Sequence, residues 1–428
     1  MILLPVITLI LIFGSYLIKN GKRLDIVHLL IMTYLVMGIA SVVLELTGLF
    51  PNIFTLEFEP VVYLSVCFII VFWGFTGFKN QKLSVIRIEN SLLYRALEIF
   101  LLIGGFLAII FFLPFAGISL TGDIAYNRAD ILIMSEILGE FGIVNSFFSL
   151  LSNLFILAQA CVFLNLIPRN GKRNTKMAYL LLISSFSYVL YVLAYAGRDG
   201  VVYWIMSYLF CFLLFRDFVA KDELKRLNRC VALSSAILLI VFAIITMARF
   251  SESEVGTGLA TVNYAGQQIR NFNDHYIVDA PLQYGKLCFP EVVNLMRIIG
   301  FDVGPKIDIE VFDSFFSAQG VQSAVFTTFI GLLMLDFGKL WLLVFLGLLS
   351  FITRITLNKV SRTGVFEFSS LVIFILLYQM VYWGVFYFRH YVANFYILFM
   401  ILLFVFFKAC NISRSSILLN KRSITNGR

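Results

Sequence analysis

Long apolar runs broken by short charged turns make up most of the chain, and their lengths predict helices rather than strands. About 20 apolar residues carry a helix across the roughly 30 Å hydrocarbon layer of a bilayer. Runs of about that length lie at 1–18, 25–48, 60–78, 97–116, 143–167, 177–196, 200–215 and 231–249. The first begins at Met1 and has no small-residue cleavage site, so it predicts a retained span rather than a signal peptide. The stretch from Ser251 to about Gly320 differs. It holds Glu252, Glu254, Arg270, Asp274, His275 and Lys286 among other charges, and it cannot sit in lipid. We read 250–320 as one large external loop.

Beyond that loop, Val321 to Leu335 is apolar but short, Asp336-Phe337-Gly338-Lys339 interrupts it, and Leu340 to Ile352 is apolar again. Two crossings would need about 40 residues. They would also leave Lys408, Arg414, Lys421, Arg422 and Arg428 outside, against the rule that Lys and Arg gather on the cytoplasmic side. One crossing is expected, with 321–339 a re-entrant or surface-lying segment. Its Asp336 turn would border a wet cavity, because non-helical backbone at membrane depth requires one or a packed protein interior. Spans at about 366–386 and 391–407 bring the total to about eleven. The expected fold class is all-α and polytopic, with 1–428 a single membrane domain and no internal repeat.

Charge sets the orientation. Lys19, Lys22 and Arg23 form one basic turn, Lys79, Lys82, Arg87 and Arg95 a second, and Arg169, Lys172, Arg173 and Lys176 a third. Arg216, Lys221, Lys225, Arg226 and Arg229 make a fourth. The positive-inside rule assigns all four to the cytoplasm, so the N-terminus is expected outside and the C-terminus inside. Composition agrees, with 60% hydrophobic and 14% charged residues against about 25% charged in soluble proteins. The net charge of +8 is then topological, and no nucleic-acid partner is expected. Six cysteines without CxxC spacing and three histidines predict neither a disulfide framework nor a zinc site. No P-loop, GxGxxG, HExxH or GxSxG motif occurs, so no cofactor is expected.

Candidate chemistry lies in polar groups at the outer helix ends, since charges near a membrane are costly and have partners or tasks. Gly197-Arg198-Asp199-Gly200 is a minimal turn placing a guanidinium at the outer surface. It reads either as a diphosphate fork or as an Arg–Asp pair closing a glycine turn. Arg249 ends a span, where snorkelling to headgroups is the plain alternative. Arg389 and His390 occupy a short outer turn among Tyr382, Trp383, Phe386, Tyr387 and Tyr391. Arg270 and His275 lie in the loop beside Asp274, where a solvated charge is the default. Arg128 and Asp130 are weaker candidates.

This layout, with many spans, one large outer loop in the second half and a Gly-Arg turn before it, resembles the Wzy-type O-antigen polymerases, the oligosaccharide repeat unit polymerases. The segment Gln322-Ser323-Ala324-Val325-Phe326-Thr327-Thr328-Phe329 leading to Leu335-Asp336-Phe337-Gly338 shares in the resemblance. Where that family often has Asn-Val-Tyr-Thr, this chain reads Ala324-Val325-Phe326-Thr327. The resemblance implies a bacterial plasma-membrane glycosyltransferase acting at the outer face. It would join polyprenyl-diphosphate-linked repeat units and release polyprenyl diphosphate, with membrane lipids, a flippase and a chain-length regulator as partners. The leaving group is already activated, so the site needs cations for the diphosphate and a base for the acceptor hydroxyl. Arg198, Arg389, Arg249 and Arg270 are the expected diphosphate ligands, and His275, Asp336 or His390 the base. An O-antigen ligase-like transferase shares donor and leaving group, and a lipid-linked oligosaccharide transporter shares the layout.

Overall fold

A computed structural model describes residues 1–21, 23–48, 54–120, 138, 140–168, 172–195, 197–250, 256–278, 280–305, 307, 309–323, 325–389, 394–410 and 416–421. Among them the chain is almost wholly helical. The helices are α1 (Leu3–Asn20), α2 (Ile26–Thr47), α3 (Phe58–Phe75), α4 (Ser91–Leu120), α5 (Gly142–Asn153), α6 (Phe155–Leu166), α7 (Thr175–Ser184), α8 (Ser187–Ala194) and α9 (Asp199–Phe215). They continue as α10 (Lys221–Phe250), α11 (Gly256–Gly266), α12 (Gln268–Ile277), α13 (Pro290–Ile298), α14 (Ile309–Ser317), α15 (Thr328–Thr363), α16 (Phe368–Tyr382) and α17 (Asn394–Ala409). Among the described residues nine stretches, with α5–α6 and α7–α8 each counted as one, are long and apolar enough to cross a membrane. The shorter apolar helices α9 and α17 bring the total to eleven. This is the all-α polytopic architecture expected from the apolar runs.

Three short strands, β1 (Val85–Ile88), β2 (Val365–Glu367) and β3 (Ile417–Asn420), form one sheet in the order β2-β1-β3. β1 runs parallel to β2, with Val85 opposite Val365, and antiparallel to β3, with Val85 opposite Asn420. Paired strands must lie on one side of a membrane, which constrains the crossings between them. Six apolar stretches separate β1 from β2 and two separate β2 from β3 if α9 and α17 cross; without them the counts are five and one. Closure of the sheet requires even counts, which the described residues give when both shorter helices cross.

The chain divides into two compact units, each discontinuous in sequence. The first comprises Met1–Asn80, Gly258–Thr363 and Ile373–Leu398. Asp25 caps α2 by accepting from the Val27 and His28 backbone N–H groups at 3.0 and 3.1 Å, as an N-cap carboxylate should. The Tyr34 hydroxyl donates to the Val381 carbonyl and that of Tyr378 to the Ile26 carbonyl, at 2.7 and 2.8 Å, tying α2 to α16. α15 breaks at Gly338, whose φ of 74° and ψ of 171° belong to a region open essentially to glycine alone. The break falls where the sequence interrupts its apolar run. The segment before it is helical from Thr328, and Phe329, Ile330, Leu333 and Leu335 are buried, so it packs within the protein rather than lying on a surface.

The second unit comprises Gln81–Thr257, Gly364–Val372 and Phe399–Arg428. Its sheet is fastened by charge. Arg87 donates to Glu367 at 2.5 Å, and Lys408 pairs with the same carboxylate. Glu89, fully buried, accepts from the backbone N–H groups of Phe368 at 2.9 Å and Ser369 at 3.1 Å.

Candidate functional site

The polar stretch that reads as a loop folds into helices α11 to α14, and α12 is the element that gathers chemistry. Its sequence, QIRNFNDHYI, has only a narrow apolar stripe of Ile269, Phe272 and Tyr276, yet Gln268 to Arg270 and Phe272 to Tyr276 are buried. Buried polar side chains are as a rule hydrogen-bonded, and α12 finds partners on both flanks of the sequence for most of its own, Gln268 Oε1 and His275 Nδ1 being the exceptions among the described residues. Asn271 donates to the Phe326 carbonyl at 3.0 Å. Asn273 accepts from the Glu57 backbone N–H at 2.9 Å and donates to the Thr55 carbonyl at 3.3 Å. The Tyr276 hydroxyl donates to Glu59 at 2.5 Å, and the Lys339 ammonium lies 3.6 Å from the centre of the Tyr276 ring. Just upstream, Gly266 meets α2 so closely that a Cβ there would lie 2.5 Å from the Ala40 carbonyl carbon. The Gly266 carbonyl accepts from the Ser41 hydroxyl.

Besides Tyr276, three ionisable groups sit on this helix. Arg270 donates through Nε and a terminal nitrogen to Glu45 Oε2 at 3.1 and 3.0 Å. Asp274, one turn on, accepts from Asn273 at 3.2 Å. Burial pushes its carboxyl up, against the opposing pull of that hydrogen bond and of the Arg270 charge. His275 is 1% exposed and its Nε2 lies 2.9 Å from the Gln322 carbonyl oxygen. A carbonyl only accepts, so Nε2 carries the proton and Nδ1 is left with a bare lone pair. Among the described residues that Nδ1 has no hydrogen-bond partner. Burial lowers the imidazole pKa from the ordinary 6.5 to about 4, so the ring is neutral at pH 7. Phe316 packs against it with ring centres 4.7 Å apart. The Gln322 segment on its far side borders a shallow depression with Asp313, Ser317 and Ser323.

Compared with known proteins, the chain matches no family model, no curated protein and no solved structure. The site must therefore be read from its own geometry.

The other expected residues fall as follows. Asp336 is fully buried, and its two carboxylate oxygens accept from the Leu287 and Cys288 backbone N–H groups at 3.0 and 2.7 Å. Its own carbonyl accepts from the Tyr284 N–H at 2.8 Å. Asp336 thus clasps the turn at 283–288 to the end of the first segment of α15. Arg198 stands at the head of α9 in the second unit and is 7% exposed rather than surface-lying. It donates to the Thr246 hydroxyl at 2.7 Å and sits 5.4 Å from the centre of the Phe242 ring, both on α10. Arg389 is half-buried. His390, Arg128, Asp130 and the side chain of Arg249 lie outside the described residues.

Within the first unit the structure sets Arg270 beside Asp274 and supplies Glu45 as the partner of the arginine, while His275, five residues beyond Arg270, faces Gln322 and Phe316. The sequence offered one signal for that cluster, the i, i+4 spacing of Arg270 and Asp274, which stacks them on one helix face. The role of Glu45 had none, since 225 residues separate it from Arg270.

Proposed function

We propose that the protein is a glycosyltransferase that polymerises polyprenyl-diphosphate-linked oligosaccharide repeat units, with Arg270 and His275 at its site. The observation that carries the reading is the unpartnered His275 Nδ1, buried on the same ten-residue helix as an arginine. The chemistry asks for those two groups. The acceptor hydroxyl gives its proton to a base as its oxygen bonds to the anomeric carbon of the donor. The bond from that carbon to the phosphate oxygen breaks, and polyprenyl diphosphate leaves with the electron pair. His275 suits the first role because its neutral, Nε2-protonated form presents a lone pair, and the Gln322 carbonyl fixes the ring. Arg270 suits the second because its planar fork matches a phosphate as well as the Glu45 carboxylate it now holds. Asp336, with both oxygens taken by backbone N–H groups, is the weaker base.

Crossing parity supports the sidedness. Five apolar stretches lie between the basic turn at Lys82 and Arg87 and the polar segment, an odd number, so crossing by each would put the two on opposite faces of the membrane. The sheet sits with the basic turn containing Lys82 and Arg87, which we assign to the cytoplasm of a bacterial plasma membrane.

The test is made in cells whose surface polysaccharide depends on this chain. Deletion is expected to leave single repeat units on the surface, and H275Q or R270A at normal expression to do the same. Long chains retained on polyprenyl diphosphate would indicate a ligase instead, and repeat units trapped on the inner face a transporter. Normal ladders from both variants would remove α12 from the site.

A further inference from the structure

We propose that the segment around α13 is a membrane-interfacial anchor whose exposed apolar face inserts among the lipids of the leaflet on the polar-segment side. It does not rest on the glycosyl-transfer reading.

The face is unlike the rest of the polar segment. Leu295, Met296, Ile298, Ile299 and Phe301 are 40%, 38%, 81%, 63% and 58% exposed. Leu295, Ile298 and Ile299 follow the i, i+3, i+4 spacing of one helix face, while Val293 on the other side is buried. Single exposed leucines are ordinary, but five large apolar side chains within seven residues, outside every span, form a patch that marks an interaction site. The helix ends there by design of its backbone. The Phe301 N–H donates to the Met296 carbonyl at 3.0 Å across Gly300, whose φ is 94°, and this turn brings Phe301 back toward the helix.

What covers the patch follows from where α13 is fastened. Asn394, the first residue of the crossing helix α17, donates its side-chain amide to the Cys288 carbonyl at 3.0 Å. Its backbone N–H donates to Glu291 at 3.3 Å. Phe289, which leads into α13, packs against Phe388, Phe337 and Phe345 with ring centres 5.1, 6.2 and 6.4 Å apart. Phe345 lies seven residues past the Gly338 break inside a crossing helix, about 10 Å further along its axis at 1.5 Å per residue. The entry to α13 is thus held at the level of the span ends, where an amphipathic helix meets acyl chains on one face and headgroups on the other. Arg297 remains on the polar side, donating to Asn294 and to the Gly304 carbonyl, both at 2.9 Å.

Nitroxide accessibility tests the assignment in the full chain reconstituted in phosphatidylethanolamine–phosphatidylglycerol vesicles. Cys230 and Cys410, the exposed cysteines among the described residues, are changed to serine. Labels are then placed singly through I299C, F301C, L348C and E310C. Leu348 faces outward on α15 at 57% exposure and serves as the lipid reference, and exposed Glu310 as the water reference. The labels at 299 and 301 are expected to match 348, with collisions favouring oxygen over a water-soluble nickel chelate. Nickel access equal to that at 310 would overturn the proposal. Low access to both reagents would overturn it too, with dipolar broadening between labels then marking a second copy as the occupant. The four positions read independently, so a variant that does not elute as the parent does on size exclusion is set aside and I298C takes its place.

Discussion

Replacing Asp336 by Ala separates the two roles a buried carboxylate at this position can play. The substitution removes the acceptors for the Leu287 and Cys288 N–H groups, of which Cys288 is fully buried. Each hydrogen bond to a charged acceptor contributes about 1.5–3 kcal/mol, so the gross loss is about 3–6 kcal/mol. Against it stands relief of the several kcal/mol needed to desolvate the carboxylate. A net destabilisation of about 1–3 kcal/mol remains, because the two N–H groups stay buried without partners. D336N keeps one acceptor but turns an amide N–H₂ toward a backbone N–H, and should lose about half as much. Both are read as the midpoint of unfolding in mixed dodecylmaltoside–SDS micelles, followed by tryptophan fluorescence. A D336A protein within about 0.5 kcal/mol of the parent, the range of ordinary surface changes, would refute the clasp. A D336N protein of parental stability that makes no polymer would assign the proton-accepting role to Asp336.

Other expectations follow from groups already described. The His275 pKa is depressed on folding from 6.5 to about 4, so below pH 6.5 the unfolded chain takes up a proton that the folded chain refuses. Stability present above pH 6.5 is lost as the pH falls toward 4, by about 3 kcal/mol in total, and H275Q, measured by the same micelle unfolding between pH 7.5 and 4.5, should flatten that dependence; an unchanged slope would contradict it. G338A forces a Cβ into a positive-φ position 3.2 Å from a Leu282 methyl and should cost at least about 1–3 kcal/mol, visible as a lower unfolding midpoint. R198A removes the buried bond to Thr246 and should lower stability by about 1–3 kcal/mol. If stability falls while the polysaccharide ladder of surviving protein is normal, Arg198 is a structural tie between α9 and α10. R389A at normal expression should shorten or abolish the ladder, and a normal one would remove Arg389 from the diphosphate ligands.

The crossings were legible because apolar length is a property each segment owns: runs at 25–48 and 231–249 became Ile26–Thr47 and the latter part of Lys221–Phe250. The interruption at Asp336-Phe337-Gly338-Lys339 was equally local, and it marks the break in α15. The polar segment was not legible in the same way. Its helices are held by long-range pairs such as Arg270 with Glu45 and Asn273 with Glu57, and no spacing within 251–320 announces a partner some 200 residues earlier. Arg198 shows the same limit. Its turn was correctly placed between α8 and α9, but burial came from Thr246 and Phe242 on a later helix.

The small sheet carries a consequence for biogenesis. β1 is synthesised when fewer than a quarter of the residues have been made, yet its neighbours at 365 and 417 arrive only near the end of synthesis. Until then the backbone edges of 85–88 stay open, and Glu89 waits for the N–H groups of Phe368 and Ser369 that will surround it. The last pairing, Val85 with Asn420, can form only after every preceding helix has been threaded the right way round. Its closure thus acts as a physical check on the insertion history of the whole polypeptide.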